Sequence, residues 1–304
     1  MDAAEATGQG ASTSEQWPRG STTRRIPLAL ATWVLIGLVL LIVVVLLVVK
    51  LTRGSTTVAT PPVVPAPAAV VQAASTVPTS VFDKVGTPQP PLLTPPAVLT
   101  GQPSLTVDGR TGVVYLGGEF CPYCAAERWA LVVALSRFGT FGALGATSSS
   151  TAQVFPGLKT FSFDGATYRS TLVGLSAVEA FGPDPSVTAP AGYPQLHRIP
   201  ALQQELARRF AHGSSTTTLP FVDVANRVLI SGSGIGFSPE VLQGLSMSQI
   251  ANALHQPGST VARAVDGAAN DIAAAICSAT GGRPRSVCST NAVQASQRML
   301  GLVP

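Results

Sequence analysis

The longest apolar run in the chain extends from Ile26 to Val49 without a charged residue. A run of that length spans a bilayer as a helix, and nothing nearby could wrap a core helix that is apolar on every side. A cleaved leader would carry a shorter apolar region of ~7–15 residues, with a small-residue cleavage site after it. Here Lys50 and Arg53 follow directly, so the pattern predicts one uncleaved transmembrane helix over 26–49. Residues 1–25 are rich in Gly, Ser, Thr and Ala, lack apolar periodicity, and are expected to be disordered. Residues 50–100 mix Pro with Ala, Val and Thr, including Pro61-Pro62, Pro90-Pro91 and Pro95-Pro96. That composition predicts a semi-extended linker.

From 101 to 304 the pattern is that of one folded domain. Thr111 to Gly118 is a short apolar run between glycines, a buried strand. A helix follows from Cys121 to about Phe138, with Ala125, Trp129, Val132, Val133 and Leu135 apolar. Phe141 to Thr147 reads as a second strand. Asp164-Gly165 between alternating segments predicts a hairpin, and 183–194 a Pro/Gly-rich loop. Ile199, Leu202, Leu206 and Phe210 share one helix face. Phe221 to Val224 and Val228 to Ile230 read as two strands. Ser238-Pro239-Glu240 has the form of a helix start, and a last helix runs from about Thr260 to Ser278.

Charge alters the picture only at the ends of the apolar run. Charged residues make up 11% of the chain and the net charge is +4, with no dense basic block. No nucleic-acid footprint is present. Arg19, Arg24 and Arg25 precede the run, against Lys50 and Arg53 after it. The small bias puts the N-terminus in the cytoplasm and the domain outside.

Cys121-Pro122-Tyr123-Cys124 closes a strand and opens a helix, and this context carries the chemistry. The positive end of the helix dipole stabilises a thiolate there. Cys121, at the exposed end, is expected to attack a disulfide sulfur, and Cys124, one turn on, to resolve the mixed disulfide. The motif could instead be half of a zinc site completed by Cys277 and Cys288, although ten residues between those two is not the usual spacing. A c-type haem site would need His where Ala125 stands. Four cysteines in two pairs outside the membrane predict a structural disulfide between Cys277 and Cys288, with a second redox relay as the other possibility. His197, His212 and His255 match no ligand or triad spacing.

The stretch Leu116-Gly117-Gly118-Glu119-Phe120-Cys121-Pro122-Tyr123-Cys124-Ala125-Ala126-Glu127-Arg128-Trp129 resembles the thioredoxin superfamily. It is similar in particular to the bacterial and archaeal family of unknown function 929, whose members carry F-C-P-Y-C-A-x-x-R-W. The resemblance covers about 103–304. It implies an α/β thioredoxin-like domain with a helical or loop insertion and extra C-terminal helices, preceded here by the transmembrane helix. It implies a redox pair at Cys121 and Cys124 without metal or cofactor. It also makes Leu219-Pro220 a cis-proline loop that presents backbone to an extended substrate. Phe120 takes the place of the thioredoxin tryptophan, and Tyr115 stands where thioredoxins keep a buried acid. Glu119 is near in sequence and expected to be exposed.

These readings predict a membrane-anchored thiol-disulfide oxidoreductase. It would act on exported cysteine-containing proteins or small thiols and be reset by a membrane redox partner. The alternatives are a non-catalytic peptide-binding module using the Leu219-Pro220 edge, and a structural metal-binding protein.

Overall fold

The computed structural model describes residues 28–52, 64–88, 94–189, 192–210 and 218–302, without the side chains of 28–31 and 49–52. The chain divides into two units, 1–60 and 61–304. The described residues of the first form one uninterrupted helix, α1 (Leu28–Thr52), of 25 residues. Its large apolar side chains from Trp33 to Val48 are exposed. Side chains are described only over 32–48, and among the described residues no helix is long and apolar enough to cross a membrane. The disordered tail expected at 1–25 lies outside the described residues.

The second unit runs through β1 (Val64–Pro65), α2 (Ala68–Ser75), α3 (Thr79–Val85), β2 (Ala97–Val98), β3 (Thr106–Val107) and β4 (Arg110–Gly117). Next come α4 (Pro122–Leu135), β5 (Thr140–Ser148), β6 (Lys159–Arg169), β7 (Val173–Glu179) and α5 (Ala201–Arg209). It ends with β8 (Phe221–Val224), β9 (Val228–Ser231), α6 (Met247–Ala253), α7 (Thr260–Ala279), α8 (Arg285–Cys288) and α9 (Asn291–Leu300).

Among the described residues the architecture is mixed α/β with two sheets. In the larger sheet β4 is central. β7 runs parallel to it, with Gly117 opposite Glu179. β8 runs antiparallel on the other edge, with Leu116 opposite Phe221. β9 and then β2 extend the β8 side. Val113, Val114, Tyr115 and Leu116 are all buried, as a strand covered on both faces requires. Alternation sends Val113 and Tyr115 into the main core and Val114 and Leu116 into a second one against α5. α4 lies in the main core with every residue but Tyr123 buried. Trp129 there tilts onto Phe161 of the smaller sheet at 4.5 Å and donates to the Lys159 carbonyl at 3.0 Å. Burying side chains of this size contributes about 1.5–3 kcal/mol each.

Three expectations are corrected. The linker assigned to 50–100 is in large part folded. Val70, Ala74 and Phe82 are core residues, and Val64 pairs with Ala146. Proline here sits at helix starts, where its missing N–H costs nothing: Pro67 and Pro78 cap α2 and α3. Second, Asp164-Gly165 is not a hairpin turn. It lies inside β6, in a bulge between the Gly145–Ser162 and Ala143–Thr167 pairs, with Gly165 at φ +65°. Third, the start at Ser238 yields only a 3-10 turn, Pro239–Leu242, although the Ser238 hydroxyl caps it as expected.

Candidate functional site

Cys121 is the N-cap of α4, and Pro122 occupies the first turn. The Cys121 sulfur accepts the Cys124 N–H at 3.2 Å, and its thiol faces the Leu219 carbonyl at 3.8 Å. The Leu219–Pro220 bond is cis. Two segments far apart in sequence therefore meet at one sulfur: the turn from β4 into α4 and the turn into β8. Cys121 is 6% exposed and Cys124 fully buried, and both are free thiols.

The two thiols differ in acidity. Its hydrogen bond with the Cys124 side chain holds the Cys121 thiol below its ordinary value. Burial opposes this, and the Cys124 N–H and the Arg128 charge reinforce it. Burial pushes Cys124 well above the ordinary value, helped by the hydrogen bond and charge of Cys121. Of the two, Cys121 is the more acidic thiol.

Behind the pair lies a group of buried charges. Arg128, one turn after Cys124, is completely buried. Its Nε donates to Glu179 Oε1 at 2.8 Å and its Nη2 to Glu179 Oε2 at 3.1 Å. Nε also reaches the Tyr115 hydroxyl at 3.1 Å, and Nη2 the Gly118 carbonyl at 2.9 Å. A second carboxylate, Glu119, stands 3.7 Å from Nη2 and accepts from the Ser162 hydroxyl. Glu119 is 4% exposed, which corrects the expectation of an exposed side chain. Its N–H is tied to the Phe181 carbonyl at 2.8 Å, which turns it inward. The Tyr115 ring is accommodated because residue 117 is glycine, where a Cβ would collide with the Tyr115 hydroxyl.

Glu179 was missed from the sequence. It ends β7 and reaches the site because parallel pairing sets it beside Gly117; no local pattern marks it. Arg128 belongs to the motif, but only the fold shows what it touches.

Aromatic side chains flank the pair. Phe120 stacks on Tyr193 at 4.0 Å, and Tyr123 meets Phe155 edge-on at 6.4 Å. Cys277 and Cys288 do not join the site. They are bonded to each other, with a Cα–Cα distance of 5.5 Å. Among the described residues no group of three or more His, Cys, Asp or Glu side chains could hold a metal ion. His197 pairs with Asp164 at 2.8 Å and His255 with the Ala73 carbonyl at 3.0 Å; His212 lies outside the described residues.

No curated protein and no solved structure matches the chain. Residues 98–180, the stretch from β2 through the cysteine pair to the end of β7, match the family model described as "Domain of unknown function (DUF929)".

Proposed function

We propose that the protein is a membrane-anchored thiol-disulfide oxidoreductase of thioredoxin-like fold, working through Cys121 and Cys124. The observation that carries this is the unlike pair of thiols: an outer sulfur stabilised at a helix N-terminus, 3.8 Å from the Leu219 carbonyl, and an inner one buried behind it. The sheet order supports the fold reading. β9, β8, β4 and β7 lie side by side, with β7 parallel to β4, the cysteines after β4 and a cis-proline before β8.

The Cys121 thiolate attacks one sulfur of a substrate disulfide, and the other sulfur leaves as a thiolate. Cys124 then gives its proton to the thiolate just released and attacks the Cys121 sulfur, breaking the mixed disulfide. The Cys121–Cys124 disulfide forms and the reduced substrate departs. In reverse, the same steps oxidise a substrate dithiol. The Leu219 carbonyl is placed to accept a backbone N–H from an extended substrate segment. Substrates would be exported proteins or small thiols, and a membrane redox partner would reset the pair.

The apolar α1 and the 277–288 disulfide support an N-terminus in the cytoplasm and a domain on the oxidising side. Protease added to intact cells should then digest residues 61–304; their protection until lysis would refute that topology.

The functional test is Cys124→Ser, which leaves mixed disulfides unresolved. Adducts through Cys121 should accumulate in membranes on non-reducing diagonal gels, and Cys121→Ser should trap none. Absence of adducts, with a Cys121 pKa near the ordinary ~8.5, would favour a non-catalytic peptide-binding module instead.

A further inference from the structure

Arg128 and Cys124 sit four residues apart on α4, so one lies above the other on the same helix face. A guanidinium fully out of water is costly unless it is paired, and the pairing here is specific. Glu179 takes Nε and Nη2 in a fork, at 2.8 and 3.1 Å. Nη2 also binds the Gly118 carbonyl at 2.9 Å, and that same carbonyl accepts the Cys121 N–H at 3.1 Å. A single carbonyl thus links the guanidinium to the backbone of the nucleophile. Nη1 is buried and makes no hydrogen bond to any described residue.

The charges do not balance. Glu179 and Glu119, the latter at 3.7 Å, face one guanidinium. A thiolate at Cys121 adds a third negative group competing for one positive charge.

We propose that Arg128 is a positioning residue that stabilises the Cys121 thiolate, and that Glu179, by sharing the same guanidinium, sets how much of its charge the thiolate receives. The inference rests on Cys121 being the attacking thiol.

The groups facing Glu179 are few. α4 contributes Arg128 and Cys124, β4 contributes Tyr115, and the turn between them Glu119. β6 offers the Phe163 N–H at 3.4 Å and the Ser162 hydroxyl that holds Glu119. Burial pushes the Glu179 carboxyl up, with Arg128 opposing, and the Arg128 charge lowers both thiols. When Glu179 is protonated, more of the guanidinium charge serves the thiolate. When it ionises, the two anions compete. An interaction of that kind broadens the Cys121 titration beyond one ideal step.

The test uses the full chain in detergent micelles, with the cysteine pair reduced and the 277–288 bridge intact. The rate of Cys121 alkylation by iodoacetamide is followed against pH. One pH unit below the wild-type midpoint, Arg128→Gln should slow alkylation about tenfold, the effect of one unit of pKa. Glu179→Gln should act in the opposite direction, by about threefold for half a unit. Arg128→Lys, which keeps the charge, should recover part of the lost rate. Opposite signs are the decisive result, because a disturbed fold would shift both variants the same way. Should a variant fail to fold, the wild-type profile decides: a transition broader than one ideal step supports the coupling, and one ideal step overturns it. Glu179→Gln moving with Arg128→Gln, or neither moving the rate, also overturns it and leaves the oxidoreductase reading standing. A wild-type Cys121 with an unperturbed midpoint and no exchange activity would remove that reading itself.

Discussion

Replacing both Cys277 and Cys288 with Ala should destabilise the 61–304 unit by about 3 kcal/mol without disabling the Cys121–Cys124 pair. The bridge spans a sequence separation of 11 and joins the end of α7 to α8. Closing a loop of that size removes roughly 9 cal/mol/K from the unfolded chain in the loop-entropy treatment, or about 3 kcal/mol at 25 °C. The turn is already ordered by the Gly282 N–H to the Cys277 carbonyl at 2.9 Å and the Thr280 hydroxyl to the Arg283 carbonyl at 2.7 Å. At about 2–4 °C per kcal/mol for a unit this large, the melting temperature should fall by roughly 6–12 °C. The assay is thermal unfolding followed by circular dichroism, with wild type and variant both under mild reductant. Disulfide exchange is measured on the same samples at 25 °C. A melting temperature unchanged within about 2 °C would refute the structural role of the bridge. Loss of exchange in a variant that is still folded would show that the second pair takes part in the redox chemistry.

Two further predictions concern the fold. A chain beginning at residue 61 should unfold cooperatively, whereas one beginning at 101 should not. The shorter chain lacks core residues Val70, Ala74 and Phe82 and the two carbonyls, of Phe82 and Gly86, that hold Asn270; equal melting temperatures for the two would overturn this. Asp266 is buried, and neither of its carboxylate oxygens is hydrogen-bonded to a described residue. Burial pushes it up to about 8 against the pull of Arg137, and Asp271 and Asp223 are raised by burial to about 7 and about 6. A carboxyl with a raised folded pKa binds its proton more tightly when folded. Its contribution is therefore intact below about pH 4 and is lost as pH rises through the folded pKa. The unfolding free energy from urea titrations should fall between pH 5 and pH 8, by up to about 1.4 kcal/mol per pH unit for each such group. Asp266→Asn should flatten that fall, and an equal change at both pH values would refute the assignment.

Much of the candidate site was legible in the chain itself. Cysteine spacing, the preceding apolar run and Pro122 are local features, and they put Cys121 at the cap of a helix. The β4, β8 and β9 segments could be read because they are short apolar runs between turn residues, and α4 because its apolar positions recur at helical spacing. The proline stretch from 61 to 100 was misread for a physical reason. Pro is equally at home in an extended linker and at a helix N-terminus, and whether Val70 and Phe82 are buried depends on a surface supplied by α4 and α7. Asp164-Gly165 has the composition of a turn, but pairing with β5 drew it into a bulge.

The sequence by itself determined which sulfur lies at the helix end and which lies one turn inside, because three residues of α-helix set that relation. Only the tertiary structure decided what surrounds those sulfurs. Glu179 is 55 residues from Cys124 and meets Arg128 only because β7 pairs in parallel with β4 at a register that sets Glu179 beside Gly117. Glu119 turns inward because its backbone is bound to Phe181 across that same strand pair. Charges that tune a thiol act through space, and their positions are set by strand register and burial, neither of which leaves a mark on the residues adjacent to them in the chain.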